Sequence, residues 1–473
     1  MSYSFTALQV ERMLGDWRVE GPAYSRLAEA FEVMIADGRL PAGARLPAER
    51  TFATHCGLSR NTVTAAYRVL REQGYLTSGR GAGSFVLLPA TEQKHRIPSS
   101  WAADQERQDI DLAIASLPAP ESILGAATRR AALDLGQYSH LPGYDLVGAP
   151  ELRQAIADRY TARGLPTGPE QIMVSAGADH ALGLVIRLLS RPGDSVLVDS
   201  PTYPNALDTI RALRRRPLTV GLGMDGWDTD VLEAVLRQEK PALAYLMPDY
   251  HNPTGLVMPD GVRAAVAAAA RASSTILVVD EATCELGLDG GSLPLPLASW
   301  AAPRQVVSIG SMSKTCWAGL RLGWVRAATP VISRLVDLRC VVDTGNPVMT
   351  QLIGLRVLES YDELLAERRE MLLRRRQVLA ESLARRIPQW RYTMPDGGFS
   401  LWVDLGARLS SPLALAAARR GVKILSGGRF GVDGTLENHI RIPFATDEES
   451  IATACDRLAG AWREVTSHRR GHA

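Results

Sequence analysis

Residues 310–324 read Gly-Ser-Met-Ser-Lys-Thr-Cys-Trp-Ala-Gly-Leu-Arg-Leu-Gly-Trp and contain one of only four lysines in a chain of 473 residues. Lys314 follows the apolar run 306–309, which is typical of a buried strand, and small hydroxyl side chains flank it. A lysine amine in such a setting can condense with an aldehyde to form a Schiff base. Arg321 can hold a phosphate through two donors of its planar guanidinium. The alternative is a lysine in an ordinary glycine-rich turn.

The spacing Ser-x-Ser-Lys-(six residues)-Arg-x-Gly in this stretch resembles the cofactor-lysine segment of the fold-type I aminotransferases, which bind pyridoxal 5′-phosphate. Other positions carry weaker signals of a ligand site. A turn at Gly177 separates a short strand from a helix, where free backbone N–H groups can bind an anion. Asp280 ends an apolar strand, at the edge where α/β sheets bind ligands. Taken singly, these residues, like Asn252 before a proline and the aromatic Tyr203, also fit ordinary turns, loop caps and packing.

The weak signals follow one another in an informative order. From about residue 111 to residue 462 the chain resembles the fold-type I aminotransferases, in which equivalent residues occur in the order Gly177, Tyr203, Asn252, Asp280, Lys314, Arg321. The resemblance extends to Tyr144-(three residues)-Gly148, to Pro-Asp-Gly-Gly at 395–398 and to His-Ile-Arg-Ile at 439–442. It implies an α/β, fold-type I aminotransferase-like domain that binds pyridoxal 5′-phosphate and forms a homodimer.

The resemblance also implies a role for each matching residue. Lys314 would be the catalytic residue that forms the Schiff base with the cofactor, and Asp280 would pair with the pyridinium nitrogen. Arg441 would bind the carboxylate of a substrate or effector. The other implied cofactor contacts are Asn252 at the ring hydroxyl, Tyr203 stacked on the ring, Gly177, Ala178, Asp179, Ser311 and Arg321 at the phosphate, and Tyr144 at the phosphate of the neighbouring subunit.

Two positions depart from the family pattern. The family usually has a tyrosine two or three residues after the aspartate, where this chain has Ala282 and Thr283. The glutamine that is common before Asn-Pro-Thr-Gly is His251. The missing tyrosine bears more on efficient catalysis than on cofactor binding.

The first ninety residues predict a small DNA-binding domain. Helical apolar periods over 23–37, from about 48 to 55 and from 60 to 73 end at glycines, and two short strand-like runs enclose Arg-Gly-Ala-Gly at 80–83. Ser59 is placed to cap the third helix, whose first turns carry polar side chains suited to base edges and phosphates. A winged helix-turn-helix has this order of elements. The alternative is a small helical domain with a solvated polar face.

Residues 24–86 closely resemble the GntR family of bacterial regulators. The matching segments are Gly-Arg-Leu-x-x-Gly-x-Arg-Leu-Pro-x-x-Arg at 38–50, Gly-Leu-Ser-Arg-Asn-Thr-Val at 57–63 and Ala-Tyr-x-x-Leu-x-x-x-Gly-Tyr-Leu at 66–76. The resemblance implies that double-stranded operator DNA is bound by Arg50, Arg60, Asn61, Thr62, Thr64, Arg80 and Gly81.

Composition limits the remaining possibilities. Net charge is +2, so any affinity for DNA must come from a local patch. Five scattered cysteines without a Cys-x-x-Cys pair argue against a disulfide framework or a zinc site and for a reducing cytoplasm. No apolar run reaches membrane-spanning length, so no membrane partner is expected. We predict a DNA-binding domain at 1–88, a linker at 89–109 with a typical span of about 25 Å, and a cofactor-binding domain at 110–473.

A GntR-type domain fused to an aminotransferase-like domain resembles the MocR (GabR-like) regulators over nearly the whole chain. This resemblance implies a pyridoxal-phosphate-dependent transcription regulator that senses an amine, an amino acid or pyridoxal phosphate. A coupling between the two sites of only about 1–3 kcal/mol is enough for such a switch. Two other functions stay open. The chain could be a working aminotransferase with an incidental DNA-binding domain, or a regulator that uses the fold as a cofactor-free dimer scaffold.

Overall fold

Buried apolar side chains form four clusters in the described part of the chain: one in the N-terminal domain, two on opposite faces of a central sheet, and one in a C-terminal small domain. The computed structural model describes residues 4–14, 17–18, 21–36, 38–79, 83–87, 109–291, 294–432 and 434–467. Apart from Asp109, the predicted linker therefore lies outside the described residues.

The described N-terminal domain consists of four helices and a two-stranded wing: α1 Ala7–Leu14, α2 Ala23–Ala36, α3 Glu49–His55, α4 Arg60–Glu72, β1 Leu76–Gly79 and β2 Gly83–Val86. Phe31 of α2 packs edge to face on Phe52 of α3 and Tyr67 of α4, with ring centroids 5.7 and 5.6 Å away. The Ser59 hydroxyl caps α4 by accepting from the Thr62 N–H at 3.0 Å. The predicted winged helix-turn-helix is confirmed, while α1 has no counterpart among the predicted elements.

The large domain is built on an eight-stranded sheet, and the chain enters it after β3 Ile110–Asp111. From one edge to the other the strands are β4 Ile172–Ser175, β11 Gly323–Arg326, β10 Val306–Ser311, β9 Ile276–Asp280, β8 Leu243–Leu246, β5 Ser195–Ser200, β6 Arg216–Gly223 and β7 Gly226–Trp227. β11 and β7 run antiparallel to their neighbours, and the other six strands run parallel to one another.

Helices cover both faces of this sheet because both faces are apolar. Side chains alternate across a strand, so Met173 packs in one core while Ile172 and Val174 pack in the other. The described helices are α5 Glu121–Asp134, α6 Pro150–Ala162, α7 Ala178–Leu189, α8 Pro204–Ala212, α9 Thr229–Glu239, α10 Asp260–Ser273, α11 Thr329–Val342 and α12 Val348–Leu358. This is the predicted α/β, fold-type I aminotransferase-like architecture.

The small domain follows a long helix, α13 Tyr361–Arg386. Its elements are β12 Ser400–Asp404, α14 Ser410–Arg419, β13 Val422–Lys423, β14 Leu425–Ser426, β15 His439–Pro443 and α15 Glu448–Ser467. β15 lies between β12 and β14, and β13 pairs with β3. None of the helices that the structure describes combines the length and apolar character needed to cross a bilayer.

Candidate functional site

Loops after the parallel strands β4, β5, β8, β9 and β10 carry the predicted cofactor residues. The carboxyl ends of parallel strands meet at one edge of a sheet, so these loops line a single cleft. Arg441 of β15 reaches the same cleft from the small domain, since its Nη1 lies 3.4 Å from Asn252 Oδ1. The residues that the fold brings together are therefore Gly177, Tyr203, Asn252, Asp280, Lys314 and Arg441.

Lys314 lies in a single π-helical turn, Ser313–Trp317, directly after β10. Its amine donates to the Ala115 carbonyl at 2.7 Å and lies 5.4 Å from the centre of the Phe399 ring. Removal from water lowers the pKa of Lys314 from 10.5 to about 8, and the charge of Arg441 acts in the same direction. At neutral pH a larger share of this amine is therefore neutral and nucleophilic than for an exposed lysine.

Charged side chains on different elements act on that amine together. Asp179 and Asp280 raise the pKa of Lys314, whereas Arg441 and Arg321 lower it, but burial outweighs them. These four groups and the lysine thus form one electrostatic cluster. Residues whose sequence signals were weak one at a time therefore lie close together in the structure.

Asp280 is buried at the end of β9. Its Oδ2 accepts from the Tyr245 hydroxyl at 2.7 Å and its Oδ1 from the Ala282 N–H at 2.9 Å. Burial raises the pKa of Asp280, while these two hydrogen bonds favour the carboxylate. The carboxylate is held in one orientation and can accept a further hydrogen bond from a protonated ring nitrogen.

The start of α7 and Arg321 form an anion-binding corner. Gly177 precedes α7 with φ +96°, and Arg321 Nη2 donates to the Ala176 carbonyl at 2.7 Å. A Cβ on Gly177 would lie 3.0 Å from Arg321 Nη2, and a Cβ on Gly323 would lie 2.8 Å from the Gly177 backbone. Glycine at both positions lets the helix start and the guanidinium converge. The first N–H groups of a helix lack intrahelical acceptors and favour an anion.

Two further residues predicted at the phosphate also have structural contacts. The Ser311 hydroxyl donates to the Ser313 hydroxyl at 3.0 Å and accepts from the Ser313 N–H at 3.1 Å, which shapes the lysine turn. The Asp179 carboxylate lies 3.4 Å from the Tyr203 hydroxyl and 3.4 Å from Asn205 Nδ2. The Asp179 side chain is thus directed towards Tyr203, so its backbone N–H is the group suited to an anion.

Arg441 is a buried cation with an incomplete set of acceptors. Its Nη2 donates to the Ala113 carbonyl at 2.5 Å, its Nη1 reaches Asn252, and its buried Nε has no hydrogen-bond partner among the described residues. Burial lowers the pKa of Arg441 to about 10. Its guanidinium also lies 5.2 Å from the centre of the Phe430 ring. A buried guanidinium with a spare donor favours a carboxylate ligand.

The two departures from the family pattern have structural partners. Buried His251 contacts the Thr254 hydroxyl through Nδ1 at 3.0 Å, and its Nε2 lies 3.5 Å from Asp199 Oδ2. The Thr283 hydroxyl donates to the Asp249 carbonyl at 2.9 Å. Ala282 supplies only its backbone N–H to Asp280.

Tyr144 lies away from this cluster, on the surface. Its side chain is 77 % exposed, and a bridge between Asp145 and Gly345 joins its loop to the segment after α11. Large apolar side chains are also exposed at Leu133, Leu141 and Val341.

The predicted DNA contacts lie around the start of α4. Arg50, Arg60 and Asn61 are exposed and Thr62 is half-buried. Thr64 is exposed, and its hydroxyl donates to Glu49 Oε2 at 2.7 Å. The predicted contacts Arg80 and Gly81 lie outside the described residues.

Three features of the cleft and its surroundings were missing from the predicted site. They are the hydrogen bond from the Tyr245 hydroxyl to Asp280, the backbone carbonyls that accept from Arg441 (Ala113) and from Lys314 (Ala115), and an ion pair between Arg39 and Glu437. Tyr245 lies in a strand next to that of Asp280, so a strand-pairing argument could have found it. Backbone acceptors leave no signal in a sequence.

Comparison with known families agrees with this geometry. Residues 109–458 match the model of the family "Aminotransferase class I and II", and residues 23–86 match "Bacterial regulatory proteins, gntR family". The protein therefore belongs to the class in which a GntR-type DNA-binding domain is followed by an aminotransferase-like domain, as predicted. The chain belongs to the class I and II aminotransferase family. The exact boundaries at residues 88 and 109 stay predictions.

Individual relatives fall into two groups. The HTH-type transcriptional regulator YdcR of Escherichia coli is 29% identical over 434 residues, which cover 86% of this chain and 92% of YdcR. The 2-aminoadipate transaminase of Thermus thermophilus is 33% identical, over 69% of this chain and 81% of its own length. The crystal structure of Thermus thermophilus LysN, an alpha-aminoadipate aminotransferase in complex with N-(5′-phosphopyridoxyl)-L-leucine, has a TM-score of 0.70 and 30% identity, and covers 80% of this chain and 100% of its own.

Proposed function

We propose that the protein is a pyridoxal-phosphate-dependent, DNA-binding transcription regulator whose aminotransferase-like domain senses an amine, an amino acid or the cofactor itself. The observation that carries the proposal is the combination, in one chain, of a GntR-type domain and a cleft that holds both Lys314 and a buried Arg441. Relatives that match this chain along most of its length include transcription regulators. A cytoplasmic location is part of the proposal, because the protein must reach chromosomal DNA.

The chemistry of the cleft fits pyridoxal phosphate. Lys314 has a depressed pKa and would react with the aldehyde, and Asp280 would accept from the ring nitrogen. The close approach of Gly177, the start of α7 and Arg321 is suited to the phosphate. Asn252 and Tyr203 would contact the ring. When bound, the cofactor supplies an aldehyde that forms reversible Schiff bases with amines.

The effector in this proposal carries a carboxylate as well as an amine. The buried Nε of Arg441 supplies a donor without a described partner, and the Ala113 carbonyl is a neutral acceptor that a carboxylate can replace. An amine held at the lysine side of the cleft and a carboxylate held at Arg441 define an amino acid. Arg441→Met should therefore weaken binding of amino acids much more than binding of simple amines.

A homodimer belongs to the same proposal. Tyr144, Leu133 and Val341 expose large side chains on the large domain, and 83% of Val341 is accessible in the single chain. A second copy on this surface would bury them and bring Tyr144 to the partner's phosphate corner. Analytical ultracentrifugation of the wild type and of Val341→Asp checks this. A monomeric wild type at micromolar concentration would contradict it.

DNA binding is tested on the adjacent intergenic region by footprinting and fluorescence anisotropy, with and without pyridoxal phosphate and candidate amino acids. Arg60→Ala should weaken binding to the protected fragment by about 1–3 kcal/mol, since it removes one contact of the recognition helix. Its cofactor absorbance should not change. Arg237→Ala, which removes an exposed arginine in the large domain, is the matched control and should bind DNA as the wild type does.

Two outcomes would refute the proposal. If the protein protects no part of the adjacent intergenic region in any ligand state, it does not regulate transcription from that region. A purified protein that acquires no lysine-dependent absorbance band with pyridoxal phosphate, and whose Lys314→Ala variant behaves identically, uses the fold as a cofactor-free scaffold.

A second candidate function is amino-group transfer. It is favoured by the 33% identical 2-aminoadipate transaminase and by the joint presence of Lys314, Asp280 and Arg441 in the cleft. Multiple-turnover assays of the full chain with an amino donor and a 2-oxo acid separate the two functions. Sustained turnover that DNA does not affect, without ligand-dependent DNA binding, would favour the enzyme.

A further inference from the structure

The N-terminal domain contacts the small domain through a buried ion pair. Arg39 follows α2 and Glu437 precedes β15, and Arg39 Nη1 lies 2.8 Å from Glu437 Oε1. Only 6% of the Arg39 side chain and 2% of the Glu437 side chain are exposed. Arg39 also donates to the Met13 carbonyl at the end of α1 and to the Ser411 hydroxyl at the start of α14. One guanidinium thus joins the two domains.

Glu437 is fixed on the small-domain side. Its carboxylate accepts from the Ser410 hydroxyl at 2.8 Å, the Ser411 hydroxyl at 2.7 Å and the Ser411 N–H at 3.1 Å. A buried ion pair whose members are otherwise hydrogen-bonded is costly to break by removing one partner. The pair therefore moves as part of the small domain when that domain moves.

The rest of this contact is less tightly packed. A groove of about 160 Å³ that is partly open to solvent lies between the domains, next to the ion pair, and is lined by Trp17 and Met34 on one side and by Pro412 and Leu415 on the other. The backbones of the two domains approach each other closely at Gly434, where an added Cβ would lie 2.4 Å from the Arg12 carbonyl oxygen. The described contacts between the two domains thus include the ion pair, the packing of α2 on α14 and the close approach at Gly434.

The ion pair lies close in the chain to the candidate carboxylate site. Glu437 and Arg441 are four residues apart, and Glu437 lies in the turn directly before β15. β15 is held between β12 and β14, so it moves with its sheet. A ligand that contacts both Lys314 and Arg441 joins the large-domain core to the small-domain core. Such a ligand changes how the small domain sits on the large one.

We propose that the Arg39–Glu437 ion pair couples carboxylate binding at Arg441 to the position of the DNA-binding domain. This coupling rests on the function proposed above, and the ion pair is the physical connection between the carboxylate site and the DNA-binding domain. Docking on the small domain leaves Arg50, Arg60 and Asn61 exposed, so this contact does not cover the DNA-binding face. Instead, the contact between the domains sets the position of α4, the recognition helix, in each subunit. In a dimer, half-sites about 34–36 Å apart are read only when the two helices have the matching separation.

The test uses the full chain and two stable phosphopyridoxyl adducts as probes. N-(5′-phosphopyridoxyl)-L-leucine carries a carboxylate for Arg441, and the adduct of 3-methylbutylamine is the same molecule without it. Fluorescence anisotropy gives the affinity for the footprinted DNA fragment with each adduct. In the wild type the leucine adduct should change this affinity by about 5- to 150-fold more than the amine adduct does.

Glu437→Gln and Arg39→Gln should reduce that ratio towards one, while the affinity for the leucine adduct itself stays within about twofold of the wild type. Ser411→Ala removes one donor to Glu437 and one acceptor of Arg39 without burying an unpaired charge, so it tests the link if a charge variant does not fold. Glu370→Gln, at an exposed carboxylate on α13, is the control and should keep the full ratio.

The outcomes separate the two proposals. A wild type that binds DNA equally with both adducts overturns carboxylate sensing and, with it, the coupling, whereas equal DNA binding with and without either adduct overturns the sensing function as a whole. A wild type with a clear ratio that survives in Glu437→Gln, Arg39→Gln and Ser411→Ala keeps the sensing function but overturns the ion pair as its link.

Discussion

The depressed pKa of Lys314 makes a quantitative prediction about its reactivity. With a pKa of about 8, roughly one amine in ten is neutral at about pH 7, compared with roughly one in 3,000 at the ordinary value of 10.5. The neutral amine is the nucleophile, so its labelling by an aldehyde should rise with pH to a midpoint near 8. Arg441→Met removes a positive charge that favours the neutral form, and should move this midpoint upward by up to about one unit. Asp280→Asn removes a negative charge and should move it downward.

Reductive methylation with formaldehyde measures this without any cofactor. The chain has only four lysines, and peptide mass spectrometry follows Lys314 and the exposed Lys240 in one digest from about pH 6 to about pH 10. Limited access slows the labelling of Lys314 at every pH but does not move its midpoint. Arg391→Gln, at an exposed small-domain arginine, is the control. The reasoning is refuted if the labelling midpoint of Lys314 lies at the ordinary lysine value of 10.5, or if the Arg441 and Asp280 variants shift this midpoint in the same direction.

Three further predictions test the cofactor corner, the aspartate and the DNA face. Gly177→Ala and Gly193→Ala both place a side chain at φ +96° and should each cost about 1–3 kcal/mol of stability in urea unfolding. Only Gly177→Ala, whose Cβ would meet Arg321, should also weaken pyridoxal-phosphate binding measured by absorbance titration. Tyr245→Phe removes a hydrogen bond to the Asp280 carboxylate and should lower the free energy of unfolding by about 1.5–3 kcal/mol. An unchanged urea midpoint would contradict this. Because arginines supply phosphate contacts, log Kd for DNA should rise linearly with log salt, and a flat plot would exclude phosphate binding.

Much of the cleft could be predicted because its residues follow strand ends. Asp280 is the last residue of one apolar strand and Lys314 lies three residues after the end of the next, and parallel strands bring their carboxyl ends to one edge. The cap of α4 could also be predicted, because it needs only a side-chain hydroxyl, that of Ser59, three residues before a backbone N–H that has no partner within the helix. The cap needs only neighbours in the chain, whereas the roles of the cleft residues were predicted from the family resemblance.

Interactions between distant segments could not be predicted in this way. Arg39 and Glu437 are 398 residues apart. Arg39 belongs to the segment that resembles the GntR family, but nothing in the sequence pairs it with Glu437. Thr64 was predicted as a DNA contact from its place on α4, but its bond to Glu49 depends on how α3 packs. Backbone carbonyls carry no residue identity, so the acceptors on Lys314 and Arg441 could not be recognised.

Those carbonyls have a consequence for the energetics of the free protein. Ala113 and Ala115 follow the predicted linker, and their carbonyls accept hydrogen bonds from Arg441 and Lys314, the two cations that an amino acid would contact in the proposed function. A ligand that takes over these two donors must displace both carbonyls, so the free energy of breaking two internal hydrogen bonds offsets part of the free energy of ligand binding.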